Sequence, residues 1–166
     1  MEKKGNEVEE LPPVKSLLVV FSSHHHNTEK IANACAHVLG TKVKTPQQVT
    51  PEEIALYDLV GFGSGIYSAT FDPSVLDLAD RLPNAAGKKA FLFSTYGAPA
   101  VFAGGEFVTN NHAQIREKLQ VKGYTIIWEF GCAGWNTNSV LRFFGGLNKG
   151  RPDARDLINA EALARI

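Results

Sequence analysis

The run Ser22-Ser23-His24-His25-His26-Asn27-Thr28 sets hydroxyls, imidazoles and one amide between an apolar stretch and an amphipathic one. Short polar groups of that kind suit the capture of an anion by hydrogen bonds. Before the run, Leu17-Leu18-Val19-Val20-Phe21 has the continuous hydrophobicity of a strand buried on both faces. After it, Ile31, Ala34, Cys35, Val38 and Leu39 recur at helical spacing, with Asn27 or Thr28 as the expected N-cap. The unbonded N–H groups of the helix's first turn and the positive end of its dipole then face the run, a cradle for phosphate that requires no lysine. A solvated polar loop and a metal site are the competing readings. Consecutive histidines converge poorly on one ion, so no metal ligand is assigned.

Two other runs have related chemistry. Tyr57 to Gly63 reads as a strand opening into Ser64-Gly65-Ile66-Tyr67, and Ala90 to Phe93 as a strand opening into Ser94-Thr95-Tyr96-Gly97. Each joins hydroxyls and glycine to a tyrosine that either stacks on a ligand or covers the core. The elements that must position these runs follow from the rest of the chain. Thr41 to Thr45 predicts a short edge strand. Thr50-Pro51-Glu52-Glu53 opens a brief helix, and Asp72-Pro73 opens another whose apolar face is Val75, Leu76, Leu78 and Ala79. Asn111 to Val121 predicts a helix ended by Gly123, Tyr124 to Phe130 a fifth strand, and Asp153 to Ile166 a last helix with Leu157, Ile158, Ala162 and Leu163 inward. Strands alternating with helices imply an α/β fold, a doubly wound parallel sheet between two layers of helices. Ligands of such sheets bind beyond the carboxyl ends of the strands, and all three polar runs fall at that edge.

Composition narrows the function classes. The 166 residues are 44% hydrophobic, the size and make-up of one domain, residues 15–166, preceded by a charged, proline-ended stretch, residues 1–14, that reads as a disordered tail. Seventeen basic residues against seventeen acidic ones argue against nucleic acid as a partner. The charged N-terminus lacks a secretory core and no apolar run reaches membrane-spanning length, so no membrane insertion and a cytoplasmic location are expected. Cys35 and Cys132 form no C-x-x-C pair; Cys35 is expected in the core, Cys132 as a packed residue, and Trp135 as packing over the end of the fifth strand.

At Ser22 to Ala32 the chain resembles the flavodoxin family, whose phosphate loop places hydroxyl residues and a glycine before Asn-Thr and the first helix. His25 and His26 stand here for the usual threonine and glycine, as in a branch of small flavodoxins that Gly145-Gly146-Leu147-Asn148-Lys149-Gly150-Arg151-Pro152-Asp153 also resembles. The resemblance implies a three-layer doubly wound sandwich around a five-stranded parallel sheet of order 2-1-3-4-5, with FMN between the first and third strands, its known location in flavodoxins. It further implies that Ser22, Ser23, His24, His25, His26, Asn27 and Thr28 surround the phosphate, while Ser64, Gly65, Ile66, Tyr67, Ser94, Thr95, Tyr96 and Gly97 meet the ring. The implied function is electron transfer between redox partners, a reductase and an acceptor, without catalytic residues of its own. An FMN-dependent NAD(P)H:quinone-type oxidoreductase is the alternative, with Ala98 to Glu106 as a wall of its substrate pocket. A response-regulator receiver is excluded, because its acidic cluster and phosphoryl-accepting aspartate would fall where Ser22, Ser23, Ser64 and Gly65 stand.

Overall fold

The structure, a computed structural model, describes residues 13–165. Of the tail expected at residues 1–14, all but the last two lie outside the described residues. Five strands, β1 (Ser16–Phe21), β2 (Val43–Lys44), β3 (Leu59–Gly65), β4 (Lys89–Tyr96) and β5 (Thr125–Ala133), pair in parallel in the order β2-β1-β3-β4-β5. Six α-helices join them: α1 (Asn27–Leu39), α2 (Pro51–Ile54), α3 (Pro73–Arg81), α4 (Gly105–Asn111), α5 (Ala113–Val121) and α6 (Ala154–Ala164). This is the expected three-layer α/β architecture and strand order.

Alternation along the strands divides the core into two layers. Leu17, Val19, Val60, Phe62 and Leu92 face α3 and α5, joined by Val75, Leu78, Ile115 and Leu119. Leu18, Val20, Phe91 and Phe93 face α1 and α6, joined by Ile31, Cys35, Ala160 and Ala164. On this second face β3 presents Gly61 and Gly63, and a Cβ at either would run into the Phe91 or Phe93 ring. The glycines therefore give room to two fully buried phenylalanines.

Three strands run further at their carboxyl ends than expected, for one physical reason. β3 runs on through Ser64 and Gly65, β4 through Ser94, Thr95 and Tyr96, and β5 through Ala133, because the ladder continues with Ser64 opposite Ser94, Thr95 opposite Cys132 and Tyr96 opposite Ala133. Buried backbone donors must be paired, and pairing overrides the loop preference of serine and glycine. The helix expected at Asn111 to Val121 is α5, which begins at Ala113; α4, not expected, precedes it and is separated from it at His112. On α6 the inward face is Asp156, Ala160 and Ala164, with Leu157 partly covered, whereas Ile158, Ala162 and Leu163 face solvent. Arg151 donates Nε and Nη2 to the two Asp156 oxygens at 2.5 and 2.7 Å and anchors the helix's first turn, which lets this carboxylate be buried.

Candidate functional site

At the carboxyl edge of the sheet, β1 leads through Ser22–His26 into α1. Asn27 is already the first helical residue, so the cap position falls to His26, whose side chain makes no capping bond. Asn27 and Thr28 are buried rather than capping: the Thr28 hydroxyl meets the Thr95 hydroxyl at 2.8 Å, and Asn27 donates Nδ2 to the Trp135 carbonyl at 2.9 Å. The turn is closed by Asn27 N–H to the His24 carbonyl and by Glu29 N–H to the Ser22 hydroxyl, at 3.3 and 3.4 Å. His25 and His26 adopt φ of 52° and 53°, the left-handed region that glycine tolerates and other residues seldom adopt.

A cavity of about 130 Å³ lies against this loop, lined by Ser22, His24, Asn27 and Thr28 on one side and by Gly65, Ile66, Tyr67, Thr95, Tyr96 and Gly97 on another. The loops after β1, β3 and β4 thus converge, as their polar runs suggest. Tyr67 is fixed by a 2.7 Å hydroxyl contact with Ser23 and by an edge-on packing with Phe21, and Tyr96 by an edge-on packing with Phe107. Burial pushes the Tyr96 phenol above its ordinary range, so it stays neutral. Among the described residues, no lysine, arginine, aspartate or glutamate lines this cavity.

Five of the residues expected around a ligand are not on the cavity wall. Ser23 is tied to Tyr67, and His26 pairs with Glu29 at 2.7 Å on the surface. The His25 ring stacks on Trp135, with centroids 4.0 Å apart and planes 23° apart, and its Nε2 meets the Thr137 hydroxyl at 2.8 Å. Because the strands run longer than expected, Ser64 and Ser94 point into the α3/α5 face. Ser64 donates to the Gly65 carbonyl and accepts from Asp72 N–H, fastening the start of α3.

Ser94 begins a buried relay. Its hydroxyl meets His112 Nε2 at 2.7 Å, His112 Nδ1 meets Glu129 Oε2 at 3.0 Å, and Arg116 donates to both Glu129 oxygens at 2.5 and 2.8 Å. Burial alone would raise the Glu129 pKa, but the hydrogen bonds from Arg116 and His112 overcome it and hold the carboxyl at about 2. The network locks the junction of α4 and α5 to β4 and β5.

The remaining wall of the cavity, Gly134, Trp135, Asn136 and Asn138, lies after β5 and was not expected there. Trp135, expected to pack over the end of β5, also lines the cavity. The signal was available: β5 ends at the same edge as β1, β3 and β4, and a glycine-rich run follows it. Close approach is built in, since a Cβ at Gly134 would strike the Asn27 amide and one at Gly97 the Asn136 amide. The wall is held by Asn136 Nδ2 to the Gly97 carbonyl at 3.2 Å, Trp135 N–H to the Arg151 carbonyl at 3.0 Å, and Asn148 Nδ2 to the Ala98 carbonyl at 2.9 Å. Cys35 and Cys132 are free, buried thiols, and the described residues hold no cluster of His, Cys, Asp and Glu suited to a metal ion. No helix among them is long and apolar enough to cross a membrane.

A family model described as a flavodoxin domain matches residues 18–164. An uncharacterized protein of Methanocaldococcus jannaschii is 40% identical over 152 residues, which cover 92% of this chain and 97% of that protein. Among solved structures, oxidised flavodoxin 2 of Bacillus cereus superposes with a TM-score of 0.63 at 17% identity, over 90% of this chain and 94% of its own. A flavodoxin from the domain Archaea gives 0.58 at 17%, over the same shares of the two chains. Rubredoxin oxygen:oxidoreductase of Desulfovibrio gigas gives 0.64 at 16%, over 92% of this chain but 35% of that longer one.

Proposed function

The chain belongs to the flavodoxin family, and on that premise we propose that it binds FMN noncovalently and carries electrons between redox proteins, a reductase on one side and an acceptor on the other. The single observation that carries this reading is the cavity itself, which joins an uncharged polar end at the start of α1 to a tyrosine-flanked end at the loops after β3 and β4.

The residues present fit the group. Ser22, His24, Thr28 and the unbonded Thr28 N–H at the start of α1 would hold the phosphate by hydrogen bonds, aided by the helix dipole, with no lysine or arginine on the wall beside it. Asn27 Oδ1 is buried and lacks a hydrogen-bond partner, so it can accept from a ribityl hydroxyl. Tyr67, Tyr96 and Ile66 would cover the flat ring, and Gly65 and Gly97 would let the backbone reach its polar edge. When bound, FMN supplies an electron store that the polypeptide lacks. Neutral aromatic surroundings raise the cost of negative charge on such a group, which makes its reduced form a stronger donor.

The test is titration of FMN emission with the purified protein, followed by anaerobic reduction. The expected outcome is quenching at a one-to-one ratio, and reduction by NADPH only when a separate flavoprotein reductase is supplied. Unquenched FMN would refute the binding. Rapid NADPH oxidation by the protein and a quinone alone would instead assign it an oxidoreductase activity.

A further inference from the structure

We propose that His25 is a specificity-determining positioning residue: clasped to Trp135, it holds the phosphate loop in its binding shape and so lets the site favour a phosphorylated flavin over an unphosphorylated one. The inference rests on the flavin reading above, but its evidence is a set of contacts that exist without any flavin.

Adjacent left-handed residues that both carry a Cβ are costly, and a loop of this kind would ordinarily use glycine. Something must hold them. His26 has only an exposed contact with Glu29, of the sort that contributes little. His25 has two better ones, the stack on the Trp135 indole and the bond between Nε2 and the Thr137 hydroxyl. The indole is itself a fixed surface, since its Nε1 donates to the Gly145 carbonyl at 3.1 Å and its backbone N–H to the Arg151 carbonyl at 3.0 Å. Asn27 makes a second tie two residues along by donating to the Trp135 carbonyl. The loop after β1 therefore leans on the segment after β5 at two points, and both segments line the cavity.

Engaged in this way, the His25 ring is occupied by Trp135 and Thr137 and does not line the cavity. What it contributes is shape. It keeps Ser22, His24 and Thr28 in place before a ligand arrives, so less ordering is left to binding. A ligand with a phosphate draws on Ser22, His24 and Thr28 together. Riboflavin, which has the same ring and ribityl chain but no phosphate, keeps only the ribityl contact at Asn27.

FMN and riboflavin are titrated against the wild type, His25→Ala and His25→Phe, and Trp135 emission is recorded without flavin in a Trp128→Phe background. In His25→Ala the FMN dissociation constant should rise about tenfold, the factor matching one residue's left-handed cost, while riboflavin changes less than about twofold. His25→Phe keeps the stack and loses the Thr137 bond, so it should recover FMN affinity to within about threefold of wild type. Trp135 emission should move to longer wavelength in His25→Ala and return in His25→Phe. Equal weakening of both flavins, or unchanged FMN affinity in His25→Ala, overturns the proposal. If the wild type binds neither flavin, the flavin reading itself falls, and unchanged Trp135 emission in His25→Ala then removes the clasp as well.

Discussion

Replacing Glu129 by glutamine tests the buried relay behind β4 quantitatively. Glutamine keeps the shape of the side chain and removes its charge, leaving the Arg116 guanidinium beside a neutral amide. Folding lowers the Glu129 pKa from 4.5 to about 2. At about 1.4 kcal/mol per unit, that shift corresponds to roughly 3 kcal/mol of stabilisation. The side chain is 19% exposed, and solvent screening reduces the expected effect to about 2 kcal/mol. The sign follows from the direction of the shift. A carboxyl whose pKa is lowered by folding stabilises the native state fully above its unfolded pKa, and the contribution fades as pH falls toward the folded value of about 2. Urea unfolding followed by far-UV circular dichroism should show Glu129→Gln about 2 kcal/mol less stable at pH 7, with the gap shrinking to about a quarter of that near pH 2.5. A gap that stays the same across this range would refute the reasoning, because a loss of packing alone does not titrate.

Three other outcomes are expected. Gly63→Ala forces a methyl group into the Phe93 ring and should lower stability by about 1–3 kcal/mol in thermal or urea unfolding. Burial pushes the Cys35 thiol up to about 12 and the Cys132 thiol higher still, so neither should react with a disulfide reagent at pH 8 until the protein is unfolded, when thiol counting should find two. Arg151→Ala removes the bidentate partner of Asp156, a largely buried carboxylate, and should cost about 3 kcal/mol, with the first turn of α6 losing amide-exchange protection before the sheet does.

The sheet and the first loop could be read from the chain because their signals are local. The apolar run at Leu17–Phe21 and the helical spacing after Asn27 each specify one element without reference to the rest. The directions of Ser64 and Ser94 could not be read this way. They depend on how far the β3–β4–β5 ladder extends, which is decided by pairing between distant strands, and one added residue of strand turns a side chain to the opposite face. The same holds for Trp135, which meets the loop after β1 only through contacts across more than a hundred residues. On α6 the hydrophobic residues mark the packed face only in part: Leu157 lies against the core as expected, but Ile158, Ala162 and Leu163 are exposed, and the small Ala160 and Ala164 with Asp156, paired to Arg151, are buried.

A cavity whose wall carries no lysine or arginine has a consequence for how a phosphorylated ligand would be taken up. Dissolved ions weaken attraction between full charges over about 8–10 Å, but they have little hold on hydrogen bonds made at contact. With no lysine or arginine on its wall, the site offers a phosphate no direct contact with a full basic charge for salt to screen. Loading should therefore be nearly the same in dilute buffer as in brine.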